Sequence, residues 1–187
     1  MTTPNPSLLQ EITQIHEQAE LLFAEAEVEA AIERLATEIT PALAGTHPVV
    51  LTVLNGGIIF AGKLLPKLAF PLEIDAINAS RYRGAIQGGE VAWLLQPSIP
   101  LSNRVVLLLD DVLDEGITLA VLRDWCLAQG AARVLIAVLV EKELGHAKPS
   151  QADFTGLHAP NRYLYGYGLD YKKQLRNAPG IYACRDL

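Results

Sequence analysis

The sequence predicts an α/β fold, a mainly parallel core sheet flanked by helices, on three observations. Val105 to Asp110, without a polar break until the last residue, and Arg133 to Val140 are continuous apolar runs, which suits strands covered on both faces in a parallel sheet. Pro48 to Leu54 is a third run of this kind. Segments with helical spacing of apolar residues lie between them, the alternation expected of βα units. A chain of 187 residues forms one domain, 1–187, and half of it is apolar, enough for a sizeable core.

In chain order, Leu8, Ile12, Ile15, Ala19 and Leu22 recur at gaps of four and three, which predicts an amphipathic packing helix. A second helix runs from about Val28 through Ile32, Leu35 and Ile39 and ends near Pro41 and Gly45. After the strand at Pro48 to Leu54, Asn55-Gly56-Gly57 makes a turn before a helix over Ile58 to Leu68. Gly57 to Leu64 nearly matches a P-loop, but Leu64 stands where Ser or Thr is required, and Ile58, Ile59 and Phe60 fit a packed helix better.

Leu72 to Ala79 reads as the next strand, and Glu90 to Gln96 as another. Between them, a stretch with Arg81, Tyr82, Arg83 and three glycines is either a mobile hairpin or a lid over about 80–97. Leu119 to Gln129 is helical and Gly130 ends it, with Cys126 expected in the core. The run at Arg133 to Val140 stops at Glu141-Lys142, and Gly145 to Gln151 is a loop. From Phe154 onward there are short segments between turns, with Tyr163, Tyr165, Tyr167 and Tyr171 close together. Aromatics so spaced pack strands, or stack on a planar ring if exposed.

A net charge of -6 and a pI near 5.2 argue against nucleic acid or an anionic membrane as partner. Met1 to Ser7 lacks the basic region of a signal peptide, and no apolar run is long enough to span a bilayer. Cys126 and Cys184 form no C-x-x-C pair, and a reducing cytoplasmic compartment is the expectation. The four histidines, His16, His47, His146 and His158, lack ligand spacing and read as structural or surface residues.

The most informative event is the switch at Asp110. An apolar strand stops at two adjacent carboxylates, Asp114 follows, and Gly116 leads into a helix start at Ile117 and Thr118. Ligands of open α/β sheets bind at strand carboxyl ends, where a helix N-terminus presents free N–H groups to an anion. Acids beside an anion site are reconciled by a phosphorylated sugar with magnesium: carboxylates take the hydroxyls or the metal, while amides and the Thr118 hydroxyl take the phosphate. The plainer alternative is a solvated acidic loop. Lys142, past the second buried strand, would lie beside this site if the two strands are neighbours.

Val106 to Leu119, VLLLDDVLDEGITL, resembles the phosphoribosyl pyrophosphate motif of type I phosphoribosyltransferases, in particular the hypoxanthine-guanine branch in its acidic bacterial form. The likeness runs from about Val28 to the C-terminus. It implies the type I phosphoribosyltransferase fold, with a small hood subdomain from about 1–27 and 154–187. It also implies Mg²⁺-dependent transfer of a phosphoribosyl group from phosphoribosyl pyrophosphate to N9 of hypoxanthine or guanine, in purine salvage, by a homodimer or homotetramer.

Residue by residue, the resemblance assigns Asp110 and Asp111 to the ribose hydroxyls and magnesium, and Asp114 to the purine N7 region as general base or acid. The turn Asp114, Glu115, Gly116, Ile117 and Thr118 takes the 5'-phosphate. Asn55, Gly56 and Gly57 match the pyrophosphate loop, and Arg81 and Tyr82 the start of the lid. Lys142 matches the lysine that bonds purine O6, which excludes adenine; Tyr163 matches a stacking aromatic, and Leu164 a backbone contact to the base. Asp170 matches a ligand of a second magnesium, and Arg176 an arginine facing pyrophosphate.

Three positions depart from the family pattern. Asn55 stands where many members have lysine, Arg81-Tyr82 where Ser-Tyr is common, and Glu115 where a Ser or Thr donor is usual. Glu115 adds negative charge near the phosphate, so its side chain is expected to point outward. Two other readings share the motif: a non-catalytic nucleotide- or RNA-binding regulator on this fold, and a transferase preferring xanthine.

Overall fold

Period-two alternation in the central strands splits their side chains between two helical layers. Val50, Leu107, Leu109, Ala137 and Leu139 face one way, against Ile32, Leu35, Ile39, Phe60 and Leu64. Val49, Leu51, Val106, Leu108, Ile136 and Val138 face the other, against Leu119, Leu122 and Cys126. Because both faces are covered, the strands carry no polar stripe, which is why they read as unbroken apolar runs.

A computed structural model describes residues 6–81 and 91–185. Its elements are helix α1 (Pro6–Gln18), strand β1 (Glu20–Phe23), α2 (Glu25–Leu43), β2 (Val49–Val53), α3 (Gly57–Leu64) with a 3₁₀ turn at Leu65–Lys67, β3 (Glu73–Arg81) and β4 (Val91–Leu95). There follow β5 (Val105–Leu113), α4 (Ile117–Ala128), β6 (Arg133–Glu143), β7 (Phe154–Pro160), β8 (Leu164–Tyr165) and β9 (Ile181–Ala183). Six strands form the large sheet in the order β4-β3-β2-β5-β6-β7, parallel except for the antiparallel edge β4. A mainly parallel sheet between helices is the architecture expected.

The small antiparallel sheet has the order β1-β9-β8. Leu164, Ile181 and Ala183 from it pack into the core of the large sheet. On its other side, Tyr165, Tyr171 and Cys184 pack against Ile12, Ile15 and Ala19. Residues from both chain ends therefore meet here.

Four boundaries differ from expectation, one at a local proline and the others for a tertiary reason. The first helix stops at Gln18, and Leu22 belongs to a strand, because β1 pairs with β9. The helix expected to reach Leu68 ends at Leu64, and Pro66 lies in the 3₁₀ turn that follows. Phe154–Pro160, expected with the smaller unit, is an edge strand of the large sheet, because it pairs with β6 from Ala137 to Glu143. Finally, β5 and β6 continue past their apolar runs: Leu113 still pairs with Glu141, and β7 holds β6 as far as Glu143. Asp110, Asp111 and Lys142 thus sit on strands.

Helix α2 buries Val28, Ala31, Ile32, Leu35, Ala36, Ile39 and Leu43, an apolar stripe at helical spacing. Its first turn is closed by Glu27, whose carboxylate accepts the Ala24 N–H at 2.8 Å. Pro41 lies in the last turn, so the hydrogen bond lost with its missing N–H falls near the end of the helix. No helix among the described residues is long and apolar enough to cross a membrane.

Candidate active site

The carboxyl ends of β2, β5 and β6 open into a cleft of about 430 Å³. Asn55 and Gly56 line one side, Asp110, Asp111, Asp114 and Thr118 the floor strand and the turn beyond it, and Lys142 the neighbouring strand. Tyr163, Leu164, Asp170 and Arg176 complete it from the C-terminal segment. A second cavity of about 230 Å³ shares Asp110, Asp111, Asp114 and Thr118 and extends over Glu115, Gly116 and Ile117. These sequence candidates therefore come together, although they span 122 positions of the chain.

The turn after β2 is compact because the acids stand against it. The Leu54–Asn55 peptide is cis. A Cβ built on Gly56 would overlap the Asp111 carboxylate, and one on Gly57 would sit 2.7 Å from the Leu109 carbonyl. Gly57 opens α3 and does not line the cleft itself. From the opposite side Gly168, at φ 113°, presses on the Gly56 carbonyl, where again a Cβ would overlap.

Charge is unevenly compensated. Burial pushes Asp110 well above the usual carboxylate range, and the adjacent negative Asp111 pushes it further. Burial raises Asp111 too, partly offset by Arg176, whose guanidinium lies 3.6 Å from its carboxylate. Arg176 also pairs with Asp170 and donates to the Gly168 carbonyl, and Asp170 accepts the Lys173 N–H at 2.6 Å. One arginine thus serves two carboxylates, while the Asp111 N–H donates to Asp110 at 2.9 Å. The pair needs further positive charge to ionise fully.

Past the acids, Lys142 donates to Asp114 at 2.9 Å, with the lysine mostly buried and the aspartate half exposed. Gly116 at φ 74° begins α4 in the left-handed conformation, and no side chain caps the helix. A twelve-residue helix therefore offers uncapped N–H groups to the smaller cavity. Glu115 turns away: its carboxylate lies 3.2 Å from His146 Nε2 on the loop after β6, and both side chains are more than half exposed.

Tyr163 is 41 % exposed at the cleft, edge-on to Tyr171 with ring centroids 5.6 Å apart, whereas Tyr165, Tyr167 and Tyr171 are buried. Arg81 ends β3 opposite Val91, and only its backbone is described. Tyr82 and the middle of the expected lid, residues 82–90, lie outside the described residues. Sequence reasoning missed Val112 and Leu169, which line the cleft, and the contact of Gly168 with Gly56. The apolar pair carried no signal, but Gly166 and Gly168 flanking Tyr167 did mark a backbone of unusual geometry.

Hard carboxylate oxygens without full compensation suit a divalent cation such as Mg²⁺. Among the described residues no three acidic, histidine or cysteine groups enclose a metal by themselves. An ion held by one or two of Asp110, Asp111 and Asp170 would take its remaining ligands from substrate oxygens and water, the usual way Mg²⁺ binds.

A family model described as a phosphoribosyl transferase domain matches residues 18–172. A hypoxanthine-guanine phosphoribosyltransferase of Streptococcus pneumoniae is 34% identical over 162 residues, 86% of this chain and 90% of that protein. The bifunctional protein TilS/HprT of Listeria innocua is also 34% identical over 162 residues, but the chain spans only 25% of its length. A solved structure of a hypoxanthine phosphoribosyltransferase from Staphylococcus aureus superposes with a TM-score of 0.84 at 26% identity, covering 91% of this chain and 94% of that one.

Proposed function

The chain belongs to the phosphoribosyl transferase family, and from that premise we propose that it is a purine-salvage enzyme. It transfers the phosphoribosyl group of phosphoribosyl pyrophosphate to N9 of hypoxanthine or guanine, giving IMP or GMP and pyrophosphate. The observation that carries this reading is the Asp114–Lys142 pair at 2.9 Å, in one cleft with the buried Asp110 and Asp111.

Asp110 and Asp111 hold the ribose hydroxyls and, with Asp170, would hold the magnesium. Mg²⁺ when bound supplies positive charge to the pyrophosphate oxygens and so improves the leaving group. The bond from ribose C1 to the pyrophosphate oxygen breaks with its electron pair leaving on oxygen, positive charge develops on the ring, and N9 forms the new bond. Arg176 and the Asn55-Gly56-Gly57 turn face the pyrophosphate. The N–H groups of Gly116, Ile117 and Thr118 at the start of α4 receive the 5'-phosphate, and Glu115 stays out of that site through His146.

The base lies on Tyr163 and against the backbone of Leu164, with Lys142 Nζ donating to O6. Adenine presents an amino group there, so a donor meets a donor and adenine is rejected. Asp114 takes the purine proton in the forward direction, and its bond from Lys142 holds the carboxylate oriented. Closing of a lid that begins at Arg81 and Tyr82 keeps water from the ribosyl cation. The enzyme acts in the cytoplasm as a homodimer or homotetramer. A net charge of -6 runs against an RNA-binding regulator.

The test follows nucleotide formation from phosphoribosyl pyrophosphate and Mg²⁺ with hypoxanthine, guanine, xanthine and adenine. Hypoxanthine and guanine should turn over and adenine should not. Absence of turnover with every oxopurine overturns the proposal, and a kcat/KM highest for xanthine reassigns the base.

A further inference from the structure

The ladder between β5 and β6 ends at Leu113 opposite Glu141, one residue short of the two side chains that form the Asp114–Lys142 pair. Beyond that point no strand pairing fixes the distance between the two backbones. Lys148, on the loop after β6, fills the gap. Its ammonium donates to the Leu113 carbonyl at 3.2 Å, to the Lys142 carbonyl at 2.6 Å and to the Glu141 carboxylate at 3.2 Å. All three donors of the group are used.

We propose that Lys148 is a positioning residue, tying the end of β5 to the end of β6 so that Asp114 and Lys142 meet at hydrogen-bond distance. The consequence for the purine rests on the transferase reading above. Burial separates this lysine from an ordinary surface ion pair: its side chain is 8% exposed, so bonds from the charged group are little weakened by water. The tie also reaches the turn before α4. A Cβ built on Gly116 would stand 3.4 Å from Lys148 Cβ and 3.3 Å from the Ser150 carbonyl, so the loop bearing Lys148 packs directly on that turn. Position 148 touches neither cavity's catalytic acids and acts only through backbone carbonyls and Glu141.

Lys148→Met keeps the aliphatic stem and removes the charge and the donors. Amide hydrogen exchange on the full chain should then accelerate about tenfold in Asp114 to Thr118 and in Lys142 to Leu144, with Val49 to Val53 at the wild-type rate. In turnover the KM for hypoxanthine should rise more than the KM for phosphoribosyl pyrophosphate. Unchanged exchange in the two segments, or acceleration by one common factor that includes β2, overturns the tie. Equal rises of the two KM values overturn its bearing on the base. Exchange reads the tie even in a protein without turnover, so failure of the enzyme reading is distinguishable from failure of this one.

Discussion

Gly56 and Asp111 stand so close that the carboxylate occupies the space where a side chain at position 56 would begin. Alanine at 56 must push Asp111 aside or open the turn away from it. For Gly56→Ala we expect kcat/KM for phosphoribosyl pyrophosphate to fall at least about tenfold. Steady-state rates with that substrate varied are the measurement, and a wild-type value would mean that Asp111 can move without loss.

The carboxyl pair makes a prediction about pH. Asp110 and Asp111 are raised above their unfolded values, so the native state binds more protons than the unfolded one. Their contribution to stability is present below the unfolded carboxylate pKa of about 4 and is lost as pH rises through the raised folded value. Glu29 has the opposite shift, lowered chiefly by its bond from Lys63, so the whole-protein profile mixes signs. Comparison with Asp110→Asn isolates the pair. At pH 7, without metal, the variant should be more stable by about 1 to 2 kcal/mol, or roughly 2 to 8 °C in Tm, and the gain should shrink toward pH 4. Calorimetry across that range decides it; a gain independent of pH would remove the like-charge explanation.

Asp114 and Lys142 separate chemistry from recognition. Asp114→Asn should lower the chemical rate by about 100-fold or more while binding of phosphoribosyl pyrophosphate changes little. Equal losses in single-turnover rate and binding would indicate positioning instead. Lys142→Ala should lower kcat/KM for hypoxanthine and guanine and narrow their advantage over adenine; unchanged discrimination would count against the O6 contact.

Away from the cleft, Tyr167 donates its hydroxyl to Glu29, which also pairs with Lys63 at 2.7 Å, and this joins the C-terminal segment to α2 and α3. Tyr167→Phe leaves the packing and removes one bond to a charged acceptor. A loss of about 1.5 to 3 kcal/mol in denaturant unfolding is expected. An unchanged midpoint would show that Glu29 is held by Lys63 alone.

The central strands were legible because burial on both faces leaves only apolar residues, and the acids were legible because they interrupt such a run. Where the strands end was not legible. Polar Asp110, Asp111 and Lys142 remain strand because neighbours in the ladder continue to pair with them or beside them, and no local pattern carries that information. Leu22 shows the same rule at the other end, since its helical spacing loses to the pairing of its neighbours Leu21 and Phe23 with β9. Local chemistry identified Asp114 and Lys142, but the Arg176 bridge between Asp111 and Asp170, and the role given to Lys148, depend on loops folding back from distant positions.

The contact of Gly168 with Gly56 joins a segment of the chain to one translated well before it. A nascent chain that has emerged only as far as Pro160 already contains every strand of the large sheet. It still lacks Tyr163, Asp170 and Arg176, and β1 has no β9 to pair with. Such a chain can assemble its parallel sheet on the ribosome while its acid pair remains without an arginine. The pocket is therefore completed after the sheet, when the segment carrying Arg176 folds back over the acids.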